Sequence, residues 1–408
     1  MNILMVHQNF PGQFKNLVNY FSTLENHRVV FLTQGGATEP PGIERIVYRP
    51  RRAPAAGTHP YLLSTEKGVL AAQEVARQCL ILKKNGFSPD IMIGHNGWGE
   101  LLFLKDIWPH TPLVGYFEFF YNPLGYDMGF DPEFQPTMDD VLRSRVRNSI
   151  NLLGLAAADA GIAPTEWQRS VHPSIWHDKI TVLHEGIDTK KVFPSPDASI
   201  VLGRENLRLT RHDEIITFSV RNLEPYRGFH VFMRALPIIQ HRRPRARVIF
   251  VGGDDVSYGR KRSDGLTWRQ ALTQEIKDVV DINRIHFLGH LPYEHYLRVL
   301  QVSQVHVYLT YPFVLSWSLL EAMSAGCAIV GSATPPVQEV IADGSNGLLV
   351  DFFDREGLAD RIDHILDHPT RRADLRAAAR STIVDRFDLH TKALPAYLNF
   401  LQRWADRS

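Results

Sequence analysis

The chain has 408 residues, 44% hydrophobic and 22% charged, which is enough for two globular domains that each bury a core. Its 45 basic and 44 acidic side chains nearly cancel, so the charge balance argues against a nucleic-acid-binding protein. No apolar run approaches the roughly 18 residues of a transmembrane helix, and the first residues lack the pattern of a signal peptide. We therefore expect a cytoplasmic protein, and peripheral contact with the inner face of a membrane remains an open alternative.

Short, continuous apolar runs alternate with amphipathic segments along the chain, as in buried parallel strands that are connected by helices. In the first half, strands are predicted at residues 3–7, 28–33, 91–95, 113–117, 160–164 and 180–184. In the second half, they are predicted at residues 215–220, 247–253, 285–290, 305–310, 328–332 and 347–351. The clearest helical patterns cover residues 64–85, 229–241, 318–325 and 389–404. This alternation predicts a doubly wound α/β fold.

The strand–helix pattern restarts near the middle of the chain. Residues 192–213 are mixed and polar and contain Pro194 and Pro196, which is typical of a linker. We therefore predict one domain over residues 1–190 and a second over residues 205–388.

A carboxylate stands out in the sequence SLLEAMSAGCAIV, which predicts a short helix, a glycine turn and a buried strand. Glu321 is predicted near the start of this helix, where it could accept hydrogen bonds from ribose or sugar hydroxyls. A helix-capping glutamate explains the same pattern equally well.

Two arginines follow the predicted strand at residues 215–220, in the sequence RNLEPYRG. A loop at that position lies at the carboxyl end of a parallel sheet, where ligands bind. The guanidinium groups of Arg221 and Arg227 could hold a phosphate group, and a helix beginning after Gly228 would add a favourable dipole. The alternative is a solvated basic loop.

Two glycine-containing turns give weaker signals. Gly252 and Gly253 form the end of the strand predicted at residues 247–253, and Gly12 lies in the turn QNFPGQF after the first strand. Glycine at such turns permits close approach of the backbone to a ligand. Ordinary strand-to-helix turns have the same composition.

Polar and aromatic residues follow two strands of the first half. Glu118 lies in the sequence FEFFYNP, where desolvation would raise the pKa of its carboxyl group, and His95, Asn96, Trp98 and Tyr121 lie nearby in sequence or on the next strand. Aromatic rings beside polar groups suit contact with a sugar. A core aromatic cluster with one satisfied glutamate is the alternative.

Longer segments give a specific resemblance over nearly the whole chain. LLEAMSAGCAIV followed by PPVQEVIADGSNGLLVD, the segment IHFLGHLPYEHYLRVLQVSQVHVYLT before it, and KITVLHEGIDTKKVF resemble the family 4 glycosyltransferases, which retain anomeric configuration and have the GT-B fold. The resemblance implies two facing Rossmann-like domains with an interdomain cleft. The N-terminal domain would bind the acceptor and the C-terminal domain the donor. The last helix, about residues 389–408, would cross back to the N-terminal domain.

The resemblance also implies roles for individual residues. Glu321 would accept hydrogen bonds from the donor ribose, and Arg221 and Arg227 would balance the charge of the diphosphate. Further donor contacts would come from the backbone at Gly12, Gly252, Gly253, Val314, Leu315 and Ser316. Acceptor contacts would come from His95, Asn96, Trp98 and Tyr121, with Glu118 positioning the acceptor or transferring a proton.

Two positions depart from the family pattern. The family motif E-x7-E has a first glutamate eight residues before Glu321, and Phe313 stands there instead. The family often has a histidine at the end of the fourth strand, where this chain reads Tyr116-Phe117-Glu118. Both changes concern the sugar-facing side, so the pattern predicts an apolar sugar pocket and leaves the donor sugar open.

The resemblance implies transfer from a nucleoside diphosphate sugar to a hydroxyl acceptor, which is a sugar, glycolipid or glycan, in glycan, polysaccharide or glycoconjugate biosynthesis. No D-x-D triplet occurs, so we expect neither a metal ion nor another cofactor. Two alternatives stay open: a catalytically silent nucleotide-sugar-binding protein, which Phe313 motivates, and a sugar-nucleotide epimerase of the same fold.

Overall fold

The computed structural model describes residues 1–123, 125–203 and 206–407. The chain divides into two compact units, of which the first comprises Met1–Gly186 with the segment from Leu389 onward, and the second comprises Ile187–Asp388. The positions 205 and 408, where predicted segments begin and end, lie outside the described residues.

The first unit is built on a seven-stranded parallel sheet with strand order β5-β3-β1-β6-β7-β8-β9. Its strands, with the short pair β2 and β4 beside it, are β1 Asn2–Val6, β2 Asn9–Phe10, β3 Arg28–Thr33, β4 Gly35–Gly36, β5 Ile43–Val47, β6 Ile91–His95, β7 Leu113–Tyr116, β8 Ala160–Ala163 and β9 Ile180–Val182. Strands β3 and β5 are added on one side of β1, and strands β6 to β9 are added on the other side. The strand order therefore reverses between β1 and β6, which is the topological switch point of the sheet.

Both faces of this sheet are buried. In β1, Leu4 and Val6 pack into one apolar cluster, and Ile3 and Met5 pack into another. This explains the continuous apolar sequence, since successive side chains point to opposite faces. Helices between the strands are α1 Lys15–Phe21, α2 Leu63–Lys84, α3 Leu104–Ile107, α4 Met138–Arg147, α5 Ser149–Ala157 and α6 Glu166–Ser170.

The predicted linker at residues 192–213 is wrong in one respect, because the segment contains an antiparallel hairpin. Strands β10 Ser199–Leu202 and β11 Leu207–Thr210 pair with each other. Leu202 and Leu209 are buried in the core of the second unit, which fixes the hairpin to that unit.

The second unit has a six-stranded parallel sheet with strand order β14-β13-β12-β15-β16-β17. Its strands are β12 Ile215–Asn222, β13 Arg247–Gly253, β14 Ile285–Phe287, β15 Val305–Tyr308, β16 Ala328–Ser332 and β17 Leu348–Val350. Its helices are α7 Phe229–Arg242, α8 Trp268–Ile276, α9 Tyr293–Val302, α10 Trp317–Ser324, α11 Pro335–Gln338, α12 Arg355–Asp367 and α13 Pro369–Arg386. The switch point of this sheet lies between β12 and β15.

The C-terminal segment returns to the first unit, as predicted. A π-helical turn at Leu389–Ala393 leads into α14 Leu394–Ala405. Tyr397 and Phe400 are buried in the same apolar cluster as Ile3 and Met5 of β1. Within the described residues, every helix is too short or too polar to cross a lipid bilayer.

Candidate functional site

A buried arginine lies at the switch point of the second sheet. The Nη1 atom of Arg227, which follows β12, donates to the Thr310 hydroxyl and to the Val314 carbonyl oxygen, each at 3.0 Å. Thr310 and Val314 both follow β15. The predicted placement of Arg227 at the carboxyl end of the sheet is therefore correct, and its side chain joins the two loops beside the switch point.

Arg227 is a buried cation whose charge is stabilised by its surroundings. The residue is 6% exposed, and among the described residues no carboxylate lies within 4.0 Å of its guanidinium group. Burial opposes the charge, whereas Tyr308, Tyr258 and Glu224 favour it, and the net effect raises the pKa of Arg227. Arg227 is therefore a permanent cation that is held between two loops, and such a position is suited to an anionic ligand.

Arg221 differs from Arg227 in its setting. The strand β12 extends to Asn222, so Arg221 lies in the strand and not in the predicted loop. Its side chain is exposed and forms no ion pair within the described residues. The two arginines are therefore unequal, with one fixed in the protein and the other facing solvent.

Glu224, between the two arginines, was missed by the sequence analysis. Its side chain is 1% exposed and accepts hydrogen bonds from the backbone N–H groups of Ser257, Tyr258 and Gly259, at 3.0, 3.2 and 2.8 Å. These partners are more than 30 residues away in sequence, and their approach depends on the fold. The carboxylate therefore anchors the loop that follows β13.

Glu321 lies inside helix α10 and not at its start, so the predicted helix-terminal position is wrong. The N-cap is Ser316, whose hydroxyl accepts from the Ser318 amide. The Glu321 carboxylate accepts from the hydroxyls of Tyr293 at 2.6 Å and Tyr296 at 3.0 Å. Burial and the neighbouring Glu321 charge raise the pKa of both tyrosines, which keeps them protonated as donors.

Phe313 does not form the open apolar wall that the sequence predicts. It is 3% exposed, and its ring packs edge-on against Tyr258 and Tyr226, with ring centroids 4.7 and 5.6 Å apart. Phe313 thus fills the interior of an aromatic cluster, because the rings of Tyr226 and Tyr258 cover it.

Some of the predicted backbone contacts near this cluster are already used within the protein. The Val314 carbonyl accepts from Arg227, and the Ser316 amide donates to the Tyr308 hydroxyl at 2.9 Å. Leu315 is partly buried and packs against the core of the second unit. A ligand that bonds to the Ser316 amide must therefore displace Tyr308.

The glycines predicted at ligand-facing turns have close neighbours in the protein itself. A β-carbon at Gly12, where φ is +54°, would come within 2.4 Å of the His7 Nε2 atom. A β-carbon at Gly253 would come within 2.3 Å of the His290 Nε2 atom, and one at Gly252 within 2.6 Å of the Val220 carbonyl. Packing alone therefore explains these three glycines, and a ligand contact stays a prediction.

The first unit holds a second polar cluster at the carboxyl end of its sheet. Glu118 follows β7 and is 28% exposed. One of its oxygens accepts from Gln13 at 3.1 Å, and the other lies 3.3 Å from the His95 Nε2 atom. His7 extends the cluster, since its Nε2 atom lies 2.6 Å from the Gln13 Oε1 atom. Sequence reasoning missed His7 and Gln13, which face Glu118 only in the folded unit.

Backbone amides assign the tautomers of both histidines. The Gly97 amide donates to His95 Nδ1 and the Asn9 amide donates to His7 Nδ1, each at 2.9 Å. Each ring therefore carries its proton on Nε2 and donates from it. Burial, followed by the neighbouring His95, lowers the pKa of His7 to about 3, so His7 is neutral at physiological pH.

The prediction that the pKa of Glu118 is raised is wrong. Burial alone would raise it, but the interactions with His95, followed by those with Gln13 and His7, outweigh that effect and lower the pKa. Glu118 is therefore a charged carboxylate at neutral pH, held on both oxygens and partly open to solvent.

The four predicted acceptor residues separate into two groups. His95 and Trp98 join the Glu118 cluster, with their rings stacked at 4.1 Å. Asn96 is buried and donates to the Asn151 carbonyl at 3.2 Å, and Tyr121 lies under the Arg147 guanidinium at 3.9 Å. The structure therefore brings His95 and Trp98 together with Glu118, whereas the contacts of Asn96 and Tyr121 described here are with other residues.

Comparison with known proteins assigns the family. A family model described as glycosyl transferase family 4 group matches residues 25–192, and one described as glycosyl transferases group 1 matches residues 206–382. The chain belongs to the family 4 glycosyltransferases. The resemblance predicted from the sequence is confirmed, and neither a silent binding protein nor an epimerase is favoured.

Curated relatives within this group are distant. The D-inositol 3-phosphate glycosyltransferase of Corynebacterium aurimucosum is 25% identical over 291 residues, which cover 70% of this chain and 64% of the relative. The GDP-mannose-dependent monoacylated alpha-(1-6)-phosphatidylinositol monomannoside mannosyltransferase of Corynebacterium glutamicum is 26% identical over 52% of each chain. The chain thus matches less than two thirds of the length of these relatives.

Solved structures of the same fold match over nearly the full length. Sucrose-phosphate synthase from Thermosynechococcus elongatus has a TM-score of 0.75 at 17% identity, covering 100% of both chains. Anabaena HepE, solved in complex with UDP and glucose, has a TM-score of 0.69 at 19% identity, covering 98% of this chain and 99% of that one. These similarities establish the fold, and the prediction of two Rossmann-like domains is confirmed.

Proposed function

We propose that this protein transfers a glycosyl unit from a nucleoside diphosphate sugar to a hydroxyl acceptor, with retention of configuration. The observation that carries the proposal is the buried Arg227 guanidinium, which lies at the sheet's switch point and is held by Thr310 and Val314. A diphosphate is an anion that such a fixed guanidinium group can bind. As the sugar leaves, negative charge grows on the diphosphate, and a preorganised cation stabilises that charge in the transition state.

The second unit is the proposed donor-binding domain. Glu321, held by the two tyrosines, would accept hydrogen bonds from the ribose, and the exposed Arg221 would add charge from the solvent side. One relative is named for GDP-mannose, and HepE was solved with UDP and with UDP-glucose. UDP-glucose and GDP-mannose are therefore the first donors to test.

The first unit is the proposed acceptor-binding domain, with Glu118 as the group that orients the acceptor hydroxyl. A carboxylate with a lowered pKa is a weak base, so Glu118 accepts a hydrogen bond from the hydroxyl without removing its proton. The acceptor hydroxyl attacks the sugar from the same face from which the diphosphate departs. An oxygen of the departing diphosphate can therefore take the proton of the hydroxyl. His95 and Gln13 keep the Glu118 carboxylate in place.

We propose that charge compensation comes from the arginines and that the reaction needs no metal ion. Arg227 provides a permanent cation where a metal-dependent transferase would place a divalent ion. Activity should then be unchanged after the protein is dialysed against EDTA. A loss that Mg²⁺ or Mn²⁺ restores would contradict metal independence and leave the transferase proposal standing.

Exposed apolar residues on α4 and α5 of the first unit support peripheral contact with an anionic membrane and a glycolipid acceptor. Met138 and Leu142 on α4 and Leu153 on α5 are 70%, 48% and 53% exposed, and the exposed Arg145 and Arg147 lie beside them in sequence. Basic residues near exposed apolar residues suit anionic headgroups. Sedimentation with phosphatidylglycerol vesicles should decrease in Met138→Ser/Leu142→Ser, and phosphatidylcholine vesicles are the control.

The direct test is glycosyl transfer by the purified protein. UDP-glucose and GDP-mannose are each incubated with a panel of sugar, inositol phosphate and glycolipid acceptors, and products are identified by mass and by the NMR coupling of the new anomeric proton. We expect an adduct with the configuration of the donor. Donor binding without any product would favour the silent binding protein, and a free isomerised sugar would favour the epimerase.

A further inference from the structure

The loop after β13 is held by a single buried carboxylate. Glu224 uses both oxygens to accept three consecutive backbone N–H groups, from Ser257 to Gly259. Hydrogen bonds to a charged acceptor are stronger than neutral ones, and burial keeps water from competing for them. The backbone of this loop is therefore fixed relative to the segment that carries Arg227.

The anchored loop places an aromatic side chain beside Arg227. The guanidinium carbon of Arg227 lies 5.2 Å from the ring centroid of Tyr258. The same ring contacts Phe313 at 4.7 Å and lies 6.3 Å from the ring of Tyr226. Tyr258 thus joins the arginine to the aromatic cluster around Phe313.

Tyr258 is the most exposed of the aromatic residues in this cluster. It is 38% exposed, whereas Tyr226 is only partly exposed and Phe313 and Tyr311 are each 3% exposed. Arg227 would bind the diphosphate, so the group attached to that diphosphate is the donor sugar. The ring next to Arg227 is therefore in position to contact the apolar face of the sugar, as aromatic rings do in ligand sites.

We propose that Tyr258 is a sugar-recognition residue of the donor site and that Glu224 is the residue that positions it. This inference rests on the proposed function. It also gives a physical account of Phe313, because the side chain that replaces the family's first glutamate now supports the ring of Tyr258. The donor sugar would then be recognised by contact with the ring of Tyr258, whereas the family pattern has the carboxylate of its first glutamate for this purpose.

The test compares nucleotides with and without the sugar. Calorimetric affinities are measured for UDP against UDP-glucose and for GDP against GDP-mannose, using the pair that the wild type binds. In Tyr258→Ala, the affinity for the sugar nucleotide should fall about fivefold, while that for the nucleoside diphosphate stays within about twofold. Tyr258→Phe keeps the ring and should restore the sugar nucleotide affinity.

Glu224→Gln tests the positioning role. It removes the charge that holds the loop, so it should lower the affinity for the sugar nucleotide without changing that for the diphosphate. Glu275→Gln is the matched control, because Glu275 is an exposed carboxylate of the same unit that pairs with Arg234. Thermal melting without ligand shows whether each variant folds.

Two outcomes would overturn the inference. One is an equal loss for both nucleotides in Tyr258→Ala, which would make Tyr258 part of the diphosphate site. The other is an unchanged preference for the sugar nucleotide in Tyr258→Ala and Glu224→Gln. Failure of the proposed function looks different, because the wild type would then bind neither the diphosphates nor their sugars, or would bind the sugar nucleotide without transferring the sugar to any acceptor.

Discussion

The Nη1 atom of Arg227 lies 3.0 Å from the carbonyl oxygen of Val314. The first residue follows β12 and the second follows β15, so this bond spans the switch point of the sheet in the second unit. Phe313, the neighbour of Val314, is the residue that departs from the family motif. A change at position 313 therefore acts on the loop that holds Arg227.

Phe313→Glu, which restores the residue type of the family motif, should destabilise the protein. The new carboxylate would be buried among Tyr226 and Tyr258, where an unpaired charge is costly, and the packing of the ring would be lost. We expect the free energy of unfolding of the second unit to fall by about 3 kcal/mol or more. Phe313→Leu, the control, should cost about 1.5 kcal/mol. Equal stability of the two variants in urea denaturation would show that position 313 accommodates a charge.

Glu321→Ala should weaken the binding of nucleoside diphosphates and leave the binding of pyrophosphate unchanged. The proposed partner of Glu321 is the ribose, which pyrophosphate lacks. A lost hydrogen bond to a carboxylate is worth roughly 1.5–3 kcal/mol, or on the order of tenfold or more in affinity for UDP or GDP. Both affinities are measured by letting the nucleoside diphosphate or pyrophosphate compete with a fluorescent nucleotide for the site. A parallel loss for pyrophosphate would move Glu321 from the ribose to the phosphates.

Glu118→Gln should leave nucleotide affinity intact and lower kcat by about tenfold, because a charge-assisted hydrogen bond to the acceptor becomes a neutral one. Steady-state kinetics and nucleotide titration provide the two readouts. Glu44→Gln, which changes an exposed carboxylate of the same unit, is the control and should behave as wild type. Poor nucleotide binding with normal turnover at saturation would mean that Glu118 contacts the donor.

Stability should fall as the pH drops below about 6.5, because buried neutral histidines resist protonation. Burial lowers the pKa of His7 and His306 to about 3 and that of His172 to about 4. The unfolded chain therefore binds protons that the folded chain does not bind, and each such histidine destabilises the protein by about 1.4 kcal/mol per pH unit below 6.5. The loss of stability stops growing only when the pH reaches the pKa values that these histidines have in the folded protein.

His306→Asn isolates one of these contributions. The Asn amide oxygen can replace His306 Nδ1 as the partner of the Thr217 hydroxyl, and it does not titrate. Urea denaturation between pH 7 and pH 5 should show a shallower pH dependence in this variant. The exposed His212→Asn is the control, and equal slopes in both variants would contradict the assignment to His306.

The strands of both sheets could be predicted from the sequence because each buried strand is continuously apolar. The runs at residues 28–33, 91–95 and 247–253 match β3, β6 and β13 residue for residue. The edge strand Ile43–Val47 was missed because Glu44 and Arg45 interrupt its apolar run, as in the sequence IERIV. The hairpin in the predicted linker was missed because its two four-residue strands bury few side chains.

The candidate site was only partly predictable for a different reason. A single sequence indicates which residues follow a strand, and this located Arg227 and Glu118. It does not indicate which partners reach them, so the three backbone amides at Glu224 and the Gln13 contact to Glu118 could not be foreseen. The sign of the Glu118 pKa shift was wrong because it depends on those partners and not on burial alone.

The measurement that tests the central claim most directly is calorimetric titration of the wild type and Arg227→Ala with UDP and GDP. The wild type should bind at least one of the two, and the variant should bind it on the order of tenfold or more weakly, since a charge-assisted bond is lost. Arg245→Ala, an exposed arginine just before β13, should bind as the wild type does. Binding of neither nucleotide by the wild type, or unchanged affinity in a folded Arg227→Ala, would contradict the account.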